Sequence, residues 1–481
     1  MQNLIILSGI FLLFCLQPNY SFAQKAEITE ENIYASYLEQ IGAVFASRGM
    51  QENEIAYIIQ QFKNSNITND QSFADVLNAL YPNDRNLGVL FYFFKDNRLR
   101  ILFAEPGNII EKRVVNITEE ELLTLNNNIN QSLSLYKQTA NRSPMLRSTL
   151  KIDSSQKAAT TKVSFEKSID KASAILLPPK LNHSFKHLVI IPALNIGSIP
   201  FYLLKMPGEK KFLVDYCSYS IAPSIVDLIA LRYKMLKAKL PATKFGFINK
   251  LINNGTIKEH IAEKNLILHT LDSTSMKLNN ALLVGNPAYP TNTAYVFPDL
   301  QGAKKEIHNA TKYAVKYTLF EGKTALKDSI LHYLPKADIA YFATHGIANN
   351  ENPMEQSFLV LSGNSPFLTA KEIMNTRKTL NGFPKMVILS ACQTGLGKYM
   401  NAGTVGLARS FLIAGSNHVI MSLWNVDDNA TAFLMNRFIE YLQNKLSNTP
   451  SGALRLAVLD TKQKFIAPDK WACFSVFGVD Y

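Results

Sequence analysis

With 481 residues, 47% of them hydrophobic, the chain can bury a large core and build two or three structural units, which excludes a disordered or fibrous protein. Its formal net charge of +12 comes from 50 Lys and Arg scattered among 38 Asp and Glu. No basic stripe is interleaved with aromatics, so no nucleic-acid partner is expected.

The N-terminal run "LIILSGIFLLFCL" is uncharged, too short for a membrane span and of the right length for a signal-peptide core. Small residues at Ser21 and Ala23 place cleavage after Ala23, so 1–23 is read as a signal peptide with Gln24 the mature start. The expected protein is exported, periplasmic or secreted, with no stable membrane insertion once the signal is removed. Because "MQN" carries no Lys or Arg, a retained anchor is the alternative. Cleavage would leave Cys217, Cys392 and Cys473, an odd number in a compartment that favours disulfides, so at least one thiol stays unpaired.

Residues 28–82 read as two or three short amphipathic helices without a sustained 34-residue repeat. "LGVLFYFF" and "LRILFAE" around "KDN" form a β-hairpin, and "TEEELLTLNNNINQSLSLYK" a helix. The polar stretch 139–161 has no periodicity and reads as a linker or surface loop. Further on, "HLVIIPA", "ALLVGNP", "YTLFEG", "ADIAYFATHG", "MVILSACQT" and "HVIMSLWNV" are short apolar runs bounded by Gly, Pro or Asn. Cys217 in "DYCSYSI" and Cys473 in "WACFSVFG" lie in strand-like runs, as small core residues do. Helical patterns such as "GAKKEIHNATKYAV" and "NATAFLMNRFIEYLQNK" separate the later strands. Strands apolar on both faces and alternating with helices predict an α/β fold: a largely parallel sheet with helices on both faces.

In such a sheet, sites form beyond the carboxyl ends of the strands, where His345 closes "ADIAYFATH" and Cys392 closes "MVILSAC". A thiolate attacks a carbonyl well, and a neighbouring imidazole can activate it and then protonate the leaving amine. Glycine after the histidine lets a backbone N–H approach a developing oxyanion, and the amide of the cysteine is a second donor, so Gly346 and Cys392 are the candidate oxyanion donors. His418, in "SNHVIMSLW", reads instead as a histidine packed near a strand start. "TGLGKYM" fails as a phosphate loop because Tyr399 stands where Ser or Thr is required, and no G-x-S-x-G, paired CxxC or HExxH occurs. No cofactor and no metal are expected.

The motifs "YFATHG", "PMEQSFLVLSG", "LTAKEI", "VILSACQTGLG", "GLARSFLIAGSNHVIMSLWNVDD" and "WACFSVFG" resemble those of CHAT-domain cysteine peptidases, relatives of caspases and separase. The resemblance extends upstream through "LVGNPAYP" and "LVIIPALNIGSIPFYLL" to about residue 87. It implies a caspase-like catalytic half at 279–481, a degenerate caspase-like half at 87–278 and a short helical segment at 24–86. The implied activity is that of a cysteine endopeptidase on a protein substrate. A catalytically silent interaction module of the same fold, and acyl transfer or amide hydrolysis on a non-protein substrate, are the alternatives. The Lys-rich stretch from Lys234 to Lys264 reads as a surface insertion. "SLWNVDDNA" is similar to the separase segment that holds a basic substrate side chain. The resemblance therefore makes Asp428, then Asp427, candidate substrate-binding carboxylates and implies cleavage after a basic residue, while a helix cap is the other role open to either.

Overall fold

The computed structural model describes residues 26–38, 69–82, 84–140, 153–225, 227–229, 231–232, 235, 279–291, 293–349, 352–376, 382–390, 403–424, 428–443, 447 and 449–480. The signal-peptide reading, Cys392, Asp427 and most of the Lys-rich stretch fall outside them.

The chain begins with β1 (Ala26–Ile28), α1 (Ile33–Leu38) and α2 (Asp70–Leu80). The two helices match the sequence expectation, but β1 does not: three residues are too few for a period to show, and β1 is a strand because it pairs antiparallel with β4 (Asn108–Asn116). The expected hairpin is β2 (Leu87–Lys95) and β3 (Arg98–Glu105). Its two turn residues, Asp96 and Asn97, both have φ near +54°, the geometry whose twist matches the flanking strands. After β4 come α3 (Glu119–Ala140) and α4 (Asp153–Leu176).

The start of α4 corrects the linker expected at 139–161. Its later turns bury Phe165, Ile169, Ala172 and Leu176 at helical spacing, and that anchored face carries the helix back into "SSQKAATTK", where Ala, Gln and Lys are good helix formers.

Two buried strands, β5 (His187–Ile191) and β6 (Ser218–Ile221), complete the first half of the sheet. The second half starts with β7 (Asn280–Pro287), α5 (Gln301–Ala310), β8 (Lys316–Gly322), α6 (Lys327–Tyr333) and β9 (Ile339–Ala343). A small three-stranded sheet follows, β10 (Gly346–Ile347), β11 (Phe358–Val360) and β12 (Phe367–Thr369), with α7 (Pro353–Gln356) between its first two strands. Then come α8 (Ala370–Asn375), β13 (Met386–Leu389), α9 (Gly403–Ala414), β14 (His418–Ser422), α10 (Asp428–Gln443), α11 (Pro450–Lys464) and β15 (Phe474–Gly478).

Among the described residues, twelve strands form one sheet in the order β1-β4-β3-β2-β5-β6-β15-β14-β13-β9-β7-β8. The two halves meet where β6 and β15 pair through Ile221 and Phe477. On one side β2, β5 and β6 are parallel; on the other, β14, β13, β9, β7 and β8 are parallel, with β15 antiparallel to β14. Every residue of β5, β6, β9, β13, β14 and β15 is buried, which explains the apolar runs of β5, β9, β13 and β14, while β6 and β15 carry buried serines within theirs. Cys217 and Cys473 are buried, each immediately before a strand. His418 is buried as the first residue of β14. Among the described residues no helix is long and apolar enough to cross a membrane.

Candidate active site

The site edge is set by the parallel run β13-β9-β7. Register pairs Leu389 of β13 with Phe342 of β9, and the Ser390 amide donates to the Phe342 carbonyl at 2.9 Å. His345 stands three residues beyond Phe342 (345 − 342), and Cys392 the same number beyond Leu389 (392 − 389). Adjacent parallel strands therefore lead to both residues from one level of the sheet, although Cys392 itself is not described.

His345 leaves β9 and turns directly into β10. Its carbonyl accepts from the Val360 amide at 2.8 Å, and the Thr344 hydroxyl donates to the Val360 carbonyl at 2.5 Å, so the small sheet is pinned to the end of β9. Gly346 is buried and lies opposite Leu359 in β11. The imidazole is 3% exposed, edge-on to Tyr289 at 4.6 Å and 5.5 Å from the Phe297 ring. Those aromatics come from the segment between β7 and α5, and Phe297 forms a small core with Ile347, Phe358 and Val360.

The His345 Nε2 lies 2.7 Å from the Pro298 carbonyl oxygen. A carbonyl can only accept, so Nε2 carries the proton and the neutral ring presents Nδ1 as its basic nitrogen. Burial holds the imidazole below its ordinary pKa, and the carbonyl contact opposes that shift. Burial thus favours the neutral ring, and one of its nitrogens is oriented, both of which a general base requires.

Beneath the strand ends, buried Glu306 of α5 accepts from the Tyr341 hydroxyl and, at 3.2 Å, from the Ser390 hydroxyl. Ser390 precedes Cys392 by two residues, so this carboxylate anchors the start of the segment that carries the thiol. Pro298 and Glu306 escaped the sequence reading: a backbone acceptor has no residue type to search for, and a lone Glu in an amphipathic helix reads as surface.

Of the expected substrate-binding residues, Asp428 is the first residue of α10, the helix that follows β14 in the chain; its side chain is not described. Trp424 is buried, with Nε1 donating to the Asp469 carbonyl at 3.0 Å. Among the described residues, no three His, Cys, Asp or Glu are grouped to hold a metal.

A large, mostly parallel sheet flanked by helices is a caspase-like α/β architecture. The CHAT domain family model matches residues 166–479, more than half of the chain, and the chain belongs to that family. Among solved structures, the Saccharomyces cerevisiae separase–securin complex shares the fold, with TM-scores of 0.52 and 0.51 in two structures at 13% and 12% identity. Each alignment covers 94% of this chain and 34% of the other. Tetratricopeptide repeat protein 28 of Mus musculus is 25% identical over 332 residues, and that of Homo sapiens 22%. The match covers 61% of this chain but spans only 12% of the length of these relatives.

Proposed function

We propose that the chain is a cysteine endopeptidase that cleaves a protein substrate after a basic residue, with Cys392 as nucleophile and His345 as general base. The observation that carries this reading is the hydrogen bond from His345 Nε2 to the Pro298 carbonyl, which leaves Nδ1 basic at the end of β9, beside the strand that leads to Cys392. His345 takes the thiol proton; the thiolate forms a C–S bond to the scissile carbonyl; the oxyanion is met by the Gly346 and Cys392 amides. Collapse expels the amine, which takes its proton from His345. Water, deprotonated by the same imidazole, then cleaves the thioester and restores the thiol. Asp428, with Asp427 second, pairs with the basic side chain before the scissile bond. On this reading the chain acts after export and loss of residues 1–23, with 279–481 as its catalytic half.

New N-termini generated in a protein mixture by wild type, with Cys392→Ala as control, test the proposal. Termini following Arg or Lys that appear only with wild type support it. The name of the tetratricopeptide relatives favours a second reading, a silent interaction module. Identical termini from wild type and variant, with Cys392 no more easily alkylated than a free thiol, would establish that instead.

A further inference from the structure

The bond that orients His345 ends on a backbone carbonyl in an irregular segment, and something must hold that carbonyl in place. Proline at 298 offers no N–H of its own. At Leu300, the N-cap of α5, no side chain of the cap residue serves the first turn. The hold comes instead from Asn286, at the end of β7. Its Nδ2 donates to Asp299 Oδ1 at 2.7 Å, and its Oδ1 accepts from the Leu300 amide at 2.8 Å. Both ends of one side-chain amide thus grip the two residues that follow Pro298.

The backbone is built to present that amide. Asn286 has φ +43°, in the left-handed region that asparagine tolerates better than most residues, and the β7–β8 register shifts between Gly285 and Pro287. Gly285 allows α5 to lie against β7: a Cβ there would come within 2.1 Å of Ile307 Cδ1. The strap from 287 to 300 is therefore anchored at both ends on one rigid unit, with Asn286 closing it side to side.

We propose that Asn286 is a positioning residue for His345: its amide fixes residues 298–300 so that the Pro298 carbonyl stays on Nε2 and the ring keeps Nδ1 basic. This rests on the reading of His345 as general base, but it makes a separate claim about the ring's tautomer. The residue type follows from the contacts. Aspartate at 286 lacks the donor and would face the Asp299 carboxylate, while alanine loses both bonds.

The test is NMR of the full chain labelled with ¹⁵N-histidine, with the His345 signals assigned by His345→Gln, on wild type, Asn286→Ala and Asn286→Asp. Thr293→Ala, which removes the strap's own contact to the Tyr295 carbonyl, is the control for general loosening. Wild type and Thr293→Ala should show His345 as the Nε2–H tautomer. Both Asn286 variants should show tautomer averaging and, where cleavage is measured, a roughly ten- to hundredfold fall in kcat with KM little changed, as expected of a base displaced by a fraction of an ångström to an ångström. If Asn286→Ala does not fold, Asn286→Asp, which keeps the shape and the φ preference, carries the test. A lowered melting temperature with the tautomer and kcat intact would overturn the proposal and leave Asn286 as a loop anchor. If wild type cleaves nothing, the peptidase reading fails, and the tautomer still decides the claim about Asn286.

Discussion

Among the described residues, three buried histidines stand at strand ends of the large sheet, and their surroundings differ more than their burial. His187 and His418 begin β5 and β14; His345 follows the end of β9. At the seam between the halves, His187 has the Ser218 and Ser451 hydroxyls at 2.9 and 3.1 Å from Nδ1 and Ser220 at 3.1 Å from Nε2, so both ring nitrogens are occupied. Burial pushes its pKa down to about 3. His418 donates to the Val479 carbonyl at 2.9 Å, and buried Asp480 lies 3.6 Å from His418 and 4.0 Å from His187. At the end of β9, His345 has one nitrogen fixed on a carbonyl and, among the described residues, no hydroxyl paired with its ring. Burial does not distinguish these histidines; the place of His345 at a strand's carboxyl end and the chemistry of its partners do.

The largest expected effect breaks the comparison at the site edge. Cys392→Ala should abolish cleavage and His345→Ala should lower kcat by orders of magnitude, whereas His187→Ala should leave kcat per folded molecule unchanged. Steady-state kinetics on active-site-titrated protein checks this. Because burial lowers the His345 pKa from its ordinary 6.5, the acid limb of kcat/KM should fall under that value. An acid limb above 7 would remove His345 as the base.

At the seam the same type of substitution should instead cost stability. His187→Ala leaves three buried hydroxyls without their ring partner and opens a cavity, a loss of roughly 2–4 kcal/mol measurable by urea unfolding. A loss well under 1 kcal/mol would mean that the serines re-pair among themselves.

The site and the seam were unequally legible in the sequence. The strand-end position of His345, and the end of β13 ahead of Cys392, could be read because fully buried parallel strands leave continuous apolar runs with clear ends. The seam could not, since Ser218, Ser451 and Asp480 reach His187 from elements far apart in the chain. Nor could β4, whose "NIIEKRVVN" sets three charges in the middle of the strand: Lys112 is drawn to Asp70 at 3.5 Å, and Arg113 donates to the Ala174 and Leu177 carbonyls at 2.7 and 3.1 Å, so two of them are spent on neighbouring elements. At the site, Pro298 and Asn286 act through contacts made after folding, which no motif announces.

A smaller effect concerns the seam carboxylate. Burial raises the pKa of Asp480 to about 7 from its ordinary 3.8, against hydrogen bonds from Ser451 and Thr449 that pull it down, with the hydroxyls of Tyr81 and Tyr202 also in its field. With the folded pKa raised, the native state holds a proton that the unfolded state gives up. That contribution is complete below pH 3.8 and is lost as pH rises through 7. His187 runs the other way: its folded pKa is depressed, so its contribution is present above 6.5 and lost as pH falls towards 3. Asp480→Asn removes the first term alone. Relative to wild type, the variant should gain about 2–4 kcal/mol between pH 4 and 8. A pH-independent difference would show that Asp480 is ionised throughout.

The smallest expected change in stability separates two carboxylates, Asp480 and Asp428. Asp480 is enclosed at the seam, whereas Asp428 opens α10, the helix that follows β14 in the chain, where a negative charge is favoured by the first-turn amides of the helix. If that were its whole role, Asp428→Ala would cost about 0.5–1 kcal/mol, and Asp428→Asn, which keeps an end-of-helix acceptor, much less. Selection of a basic side chain requires the charge itself. Asp428→Asn should therefore keep the melting temperature while losing most of the preference for Arg or Lys in a peptide library, and Asp427→Asn should lose less of it. A profile unchanged in Asp428→Asn and in Asp427→Asn would assign both residues to the helix start, and the choice of substrate would then have to lie with the aromatic strap around Tyr289 and Phe297.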